Sequence, residues 1–261
     1  VPMLLQMKRN RERIATLTAY DASFARAMDH AGIDAVLVGD SLGMVIKGGA
    51  NTVSVSIDDM VYHSRCVAQG LQSALLIADM PFQSYATPER ALDAATALLS
   101  EGMASMVKLE GAGFVLDAIA FLSERDIPVC AHLGLTPQSV LKLGGFKVQG
   151  RDEQAALAII EQAKQVERAG AQLLVLECLP SSLAKSVTET VGIPTIGIGA
   201  GPDCDGQILV SYDALGINSG HRRPRFVKDF LAGNGSIDAA FAQYVRDVKS
   251  GEFPVLEHGY E

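Results

Sequence analysis

The sequence predicts an α/β fold, a (β/α)8 TIM barrel forming a single domain over residues 1–261 with helices added at its C-terminal end. Two observations carry this reading. Short β-rich apolar runs alternate with longer amphipathic stretches, and charged residues recur directly at the ends of those runs. The length of 261 residues agrees with the roughly 250 usual for one such barrel.

The strands fall at 14–18, 35–39, 75–78, 106–109, 129–131, 173–176, 195–198 and 207–211. They are almost wholly apolar because both faces of a barrel wall are covered. Helices are expected at 23–31, 57–69, 88–101, 114–125, 152–169 and 181–190, and after the last strand at 225–231 and 237–249. Thr87-Pro88-Glu89-Arg90 supplies an N-cap with proline in the first turn, and Gly32, Gly102 and Gly170 stand where helices stop. Composition does not shift along the chain, so no linker or second domain is expected. Two glycine-bearing loops, 43–56 and 144–150, exceed the roughly 2 to 6 residues usual for a βα connection. They read as binding loops or lids, with disordered or oligomer-contact loops as an equal alternative.

Acidic side chains outnumber Lys and Arg by 30 to 22, a formal charge of -8, which argues against nucleic-acid or anionic-membrane partners and favours a small molecule. Cys66, Cys130, Cys178 and Cys204 are scattered without a C-x-x-C pair, pointing to a reduced, cytoplasmic compartment. No apolar run reaches the roughly 18 to 20 residues of a membrane helix, and residues 1–13 lack a signal-type stretch, so export is not expected.

The position of the charges decides where to look for chemistry. Asp40 follows AVLVG, Asp79 follows LLIA, Lys108 and Glu110 end MVKLE, His132 ends VCAH and Glu177 ends LVLE. In a barrel these strand ends share one rim, the rim that carries active sites. Lys108 and Glu110, two apart in a strand, project to the same side as Met106, and that side can be the interior. Four carboxylates around one cavity raise one another's pKa unless a cation offsets them. Hard oxygen donors without a Cys or His cluster suit Mg2+ or Mn2+ rather than zinc, so Asp40, Asp79 and Glu110 are expected as direct or water-mediated metal ligands. Taken singly, an acid after a strand is more often a helix cap or loop contact than a ligand, but four in register at one rim favour function. Strand-end position likewise favours function for Lys108 over a structural ion pair with Glu110 or Asp79, and for His132 over a loop-bonded histidine. The glycine run at 197–201 is no dinucleotide fingerprint, since the third glycine of G-x-G-x-x-G would fall at Pro202. A tight turn that admits a ligand or loop to the backbone suffices to explain it.

At these residues the chain resembles the ketopantoate (3-methyl-2-oxobutanoate) hydroxymethyltransferase family of the phosphoenolpyruvate/pyruvate barrel superfamily. The likeness runs almost end to end through TAYD (18–21), LVGDSLGM (37–44), ADMPF (78–82), YATPE (85–89), MVKLEG (106–111), HLGLTPQSV (132–140), GGFKVQGR (144–151), AQLLVLEC (171–178) and IGIGAG (196–201). The resemblance implies a metal site at Asp40, Asp79 and Glu110, with Glu110 acting directly or through water. It implies substrate binding by Asp40, Ser41, Asp79 and Lys108, a supporting place near substrate for His132, and Glu177 as the catalytic general base. The implied reaction transfers a hydroxymethyl group from 5,10-methylenetetrahydrofolate to 3-methyl-2-oxobutanoate, forming 2-dehydropantoate in pantothenate biosynthesis through a metal-stabilised enolate. A Mg2+ or similar divalent cation, the folate cosubstrate and a homodecamer follow from the same likeness.

The loop at 47–56 and the basic cluster Arg222-Arg223-Pro224-Arg225 depart from the family pattern. Three alternatives stay open: a metal-dependent lyase of 2-oxo or 2-hydroxy acids on the same barrel, a Schiff-base aldolase using Lys108, and a non-enzymatic binding barrel.

Overall fold

The computed structural model describes residues 1–217 and 223–261. Among them, parallel strands β1 (Ile14–Thr18), β2 (Ala35–Val38), β3 (Leu75–Asp79), β4 (Met106–Glu110), β5 (Val129–Gly134), β6 (Leu173–Glu177), β7 (Thr195–Ile198) and β8 (Gly206–Leu209) close into a barrel in sequence order. The (β/α)8 expectation is met, and β8 pairs back onto β1 with Ile14 opposite Gly206. The helices are α1 (Pro2–Asn10), α2 (Ala22–His30), α3 (Leu42–Val45), α4 (Ile57–Ala68), α5 (Pro88–Ser100), α6 (Val115–Ser123), α7 (Val140–Leu143), α8 (Glu153–Arg168), α9 (Ser181–Thr190), α10 (Ser211–Ala214) and α11 (Ile237–Ser250).

Side chains alternate across each strand, so the wall separates two apolar layers. Ala15, Leu17, Val36, Val38, Val107 and Leu109 face outward into the core shared with the helices. Ile14, Leu37, Ile77, Met106, Cys130 and Val175 face inward and fill the barrel. Leu4 and Met7 of α1 join that inner layer. Lys8 pins α1 to Asp205, 2.8 Å away, just before β8, so a helix the sequence reading did not anticipate seals the bottom. Apolar filling below and a sealed base leave the top as the site of polar chemistry.

Several helices begin on side-chain caps that satisfy free backbone N–H groups: Asp21, Thr87, Asp152 and Ser236 each accept from the first turn, and Ser56 with Asp59 forms a reciprocal capping box. Helix α11 closes the β1–β8 seam, where the Tyr244 hydroxyl donates to the carbonyls of Thr16 at 2.8 Å and Gln207 at 3.0 Å.

Several boundaries need correction, β5 among them, which runs on to Gly134 instead of ending at 131. Strand β2 stops at Val38, before Gly39. Strand β8 is Gly206–Leu209 rather than 207–211, because Ser211 opens α10. The expected helix at 225–231 is an irregular segment of turns. Phe226, Val227 and Phe230 are buried at a spacing that imitates a helix face. Their backbone instead bonds elsewhere: Phe230 N–H donates to Ala214 O at 2.7 Å, and Asp229 Oδ1 accepts from Leu231 and Ala232 at 3.0 Å. Arg222 of the basic cluster lies outside the described residues. Among the described residues no helix is long and apolar enough to cross a membrane.

Candidate active site

Strand register brings the predicted residues to one mouth. Asp79 at the end of β3 stands beside Lys108 of β4, Glu110 of β4 beside His132 of β5, and Gly134 of β5 beside Glu177 of β6. Asp40 and Ser41 follow β2 after the single residue Gly39. All seven predicted site residues, Asp40, Ser41, Asp79, Lys108, Glu110, His132 and Glu177, line a single cavity of about 680 Å³ at the strand C-termini. Five are almost wholly buried, while Ser41 and Glu177 lie at an intermediate depth.

On one side of the cavity Lys108 Nζ pairs with Asp79 Oδ1, and Asp79 Oδ2 accepts the Asp40 backbone N–H at 3.0 Å. Gly39 leaves room for the Ser41 hydroxyl, since a Cβ there would lie 2.7 Å from Ser41 Oγ. The Ser41 hydroxyl lies 2.8 Å from Tyr20 Oη.

Gln138 and Tyr85 are buried members of the site that sequence reasoning quoted within motifs but gave no role. The Gln138 amide donates from Nε2 to Asp40 Oδ2 at 2.9 Å and to Met80 O at 3.0 Å, while its Oε1 accepts from Tyr85 Oη at 2.6 Å. Its backbone N–H donates to Glu110 Oε2 at 3.0 Å. One residue in the short turn after β5 therefore orients two carboxylates. The only signal in the sequence is a glutamine inside TPQSV, and a loop residue has no periodicity to reveal that it folds inward.

His132 stands between two acids, with Nδ1 3.4 Å from Glu110 Oε1 and Nε2 3.3 Å from Glu177 Oε2. Neither contact is aligned as a hydrogen bond, so both are ion-pair distances across a buried ring. Burial and the Lys108 charge push the imidazole down, but Glu110 and Glu177 outweigh them and raise it to about 9.

The remaining electrostatics show a site short of positive charge. Burial, Asp79 and Glu110 push the Asp40 carboxyl well above the usual range, against smaller opposition from Lys108 and Gln138. Burial also raises Asp79, although Lys108 partly offsets it. For Glu110 burial is outweighed by His132, Lys108 and the Gln138 backbone, which hold it below the usual range. Lys108 is driven down by burial yet held above its ordinary value by Asp79, Glu110 and Asp40.

A divalent cation fits this donor set: buried, mutually repelling carboxylate oxygens gain from it, and hard oxygens match Mg2+ or Mn2+. Among the described residues no three His, Cys, Asp or Glu side chains are already gathered as direct ligands. Mg2+ is usually held by one or two carboxylates, with water and substrate completing its shell.

The long loops complete the wall. Gly48, Gly49 and Thr52 of the first and Phe146 of the second line the same cavity. The glycine run after β7 serves packing: a Cβ at Gly199 would meet the Phe226 ring at 2.7 Å, and one at Gly201 would meet Ser181 Oγ at 2.4 Å.

Against known proteins, the family described as ketopantoate hydroxymethyltransferase matches residues 1–255. The chain belongs to this family. Among its relatives, the 3-methyl-2-oxobutanoate hydroxymethyltransferase of Xylella fastidiosa (strain M12) is 58% identical over 260 residues, covering 100% of this chain and 95% of the relative. Those so named from Stenotrophomonas maltophilia and Shewanella loihica are each 59% identical, covering 100% and 98% of this chain and 95% and 97% of theirs. Solved structures show the barrel recurring at low identity. A phosphonopyruvate hydrolase complexed with oxalate and Mg++ aligns with a TM-score of 0.63 at 15% identity, covering 83% of each chain. A 2,3-dimethylmalate lyase aligns at 0.59 and 18%, covering 83% of this chain and 82% of its own. Both likenesses concern the fold alone.

Proposed function

We propose that this member of the ketopantoate hydroxymethyltransferase family transfers a hydroxymethyl group from 5,10-methylenetetrahydrofolate to 3-methyl-2-oxobutanoate, giving 2-dehydropantoate for pantothenate synthesis. The observation that carries the reading is one cavity in which the Glu177 carboxylate, 14% exposed, faces inward together with the Lys108–Asp79 pair. Such a site needs a base at one side and positive charge at the other, so that an acid's carboxylate and 2-oxo group are held while a proton leaves the adjacent carbon.

Lys108 and Ser41 hold the carboxylate end of the oxo acid. Asp40, Asp79 and Glu110 would hold a Mg2+ or similar cation. Bound there, the cation would polarise the 2-oxo group and offset the charge of the enolate. Glu177 takes the proton from C3, and His132 fixes its direction. The C3 electron pair then forms the new carbon–carbon bond to the folate's methylene carbon. Both bonds from that carbon to the folate break, one nitrogen taking the proton held by Glu177 and the other a proton from water, whose hydroxyl stays on the carbon as tetrahydrofolate leaves.

The lyase alternative rests on fold likeness at 18% identity, whereas the transferase relatives reach 58–59% over essentially the whole chain. For a Schiff base, the Lys108 amine is committed to Asp79. Four free thiols support a reducing compartment such as the cytoplasm, and family likeness extends the reading to a homodecamer, which sedimentation would measure.

The deciding experiment follows exchange of the C3 proton of 3-methyl-2-oxobutanoate in heavy water by NMR, with and without Mg2+, then adds the folate donor. Metal-dependent exchange followed by folate-dependent 2-dehydropantoate is expected. Exchange that needs no metal, or product that needs no folate, would contradict the proposal.

A further inference from the structure

A five-carbon oxo acid fills only part of a cavity of about 680 Å³, a size that accommodates a drug-sized molecule. The polar floor lies on β2 to β6, whereas the far wall rises from the end of β8, across the barrel from β4. That wall carries a carboxylate the chemistry above does not use. Asp213 in α10 lines the cavity half-buried, and among the described residues no hydrogen bond reaches its side chain. Arg223, the cation that acts on it, is already paired with Asp229 at 3.1 Å.

Two aromatic rings line the same cavity as this acid, Tyr212 next to it in the chain and Phe226. Tyr212 is braced by Phe24, stacked near-parallel at 6.1 Å, and by Tyr20 at 5.8 Å. Phe226 is held against Gly199, where no side chain could fit. Rings fixed by their neighbours offer flat contact surface with little ordering cost. A carboxylate sharing their cavity complements a planar heterocycle whose edge presents two parallel N–H donors, the geometry of a bidentate fork.

We propose that Asp213 anchors the cosubstrate, its carboxylate accepting both N–H bonds from the 2-amino-pyrimidinone edge of the reduced pterin while Tyr212 and Phe226 flank the ring. The proposal rests on the hydroxymethyl-transfer reading for the identity of the cosubstrate. It places the donor's ring on the β8 wall and its one-carbon unit toward the acid on the floor. Burial pushes the Asp213 carboxyl up to about 6, the cost of keeping an acid there for a ligand to satisfy.

The test measures tetrahydrofolate binding by calorimetry and C3 exchange of 3-methyl-2-oxobutanoate without folate, in the parent and in Asp213→Asn. The parent is also titrated with the 2-desamino analogue of tetrahydrofolate, which needs no variant to fold. At least a tenfold weaker tetrahydrofolate affinity is expected in Asp213→Asn, with exchange within twofold of the parent. The analogue is expected to bind the parent at least tenfold more weakly than tetrahydrofolate and to lose that penalty in the variant. Equal tetrahydrofolate affinity in parent and variant, or no discrimination by the parent, would overturn the subsite. Asp213-dependent binding in a parent that cannot exchange the C3 proton would leave the subsite standing and remove the oxo acid. A parent that binds no tetrahydrofolate would overturn both.

Discussion

Gln138 Nε2 donates to Asp40 Oδ2 at 2.9 Å, joining a turn after β5 to the end of β2 across 98 positions of the chain. The same residue fixes Glu110 through its backbone, so only its side-chain link is removable by substitution. Hydrogen bonds to charged groups contribute about 1.5–3 kcal/mol. Gln138→Leu should therefore bind Mn2+ and 3-methyl-2-oxobutanoate at least tenfold more weakly, read by calorimetric titration. Affinities matching the parent would mean that Asp40 needs no orientation.

Lys108 is the cation already present among the buried acids. Removing one partner of a buried pair costs about 3–5 kcal/mol, so Lys108→Met should melt well below the parent. Saturating Mg2+ should recover part of the loss, because it supplies charge to the same carboxylates. A variant whose melting temperature ignores Mg2+ would argue that the ion does not sit beside Asp40 and Asp79.

Glu177→Gln keeps the shape of the side chain facing His132 while removing its basicity. General-base catalysis contributes about 10²- to 10⁴-fold, so C3 exchange should fall by that factor with Mn2+ affinity unchanged. Normal exchange in this variant would assign the proton to another group.

Asp213 makes stability depend on pH in a direction set by its raised pKa. A carboxyl shifted from 3.8 to about 6 favours the folded state below 3.8, and that advantage is lost as pH rises through about 6. Asp213→Asn should therefore unfold later than the parent above pH 6 and show no such gain near pH 4, by urea denaturation at each pH. An equal difference at both values would show that ionisation is not the cause.

Gly134 has φ +97°, and a Cβ there would lie 2.2 Å from the Glu177 carbonyl oxygen. Gly134→Ala should cost roughly 1–3 kcal/mol through backbone strain and displace Glu177, so exchange should fall together with melting temperature. Unchanged exchange would mean that the position of Glu177 tolerates movement.

The sequence by itself determined the barrel and the rim. Strand apolarity with charges at the ends specifies both, because in parallel units every C-terminus points the same way. The six residues chosen on that ground line one cavity. The helix cap at Thr87 was readable because its signal is local. What lay beyond it was whatever depends on chain segments meeting in space. The spacing of Phe226, Val227 and Phe230 imitates a helix, yet tertiary hydrogen bonds hold that segment open. Gln138 enters the site from a turn without periodicity, and Asp213 faces the cavity from four residues of helix. Only the closed barrel decides such contacts, since curvature brings the β8 wall across from β4 and sets the second long loop against the mouth.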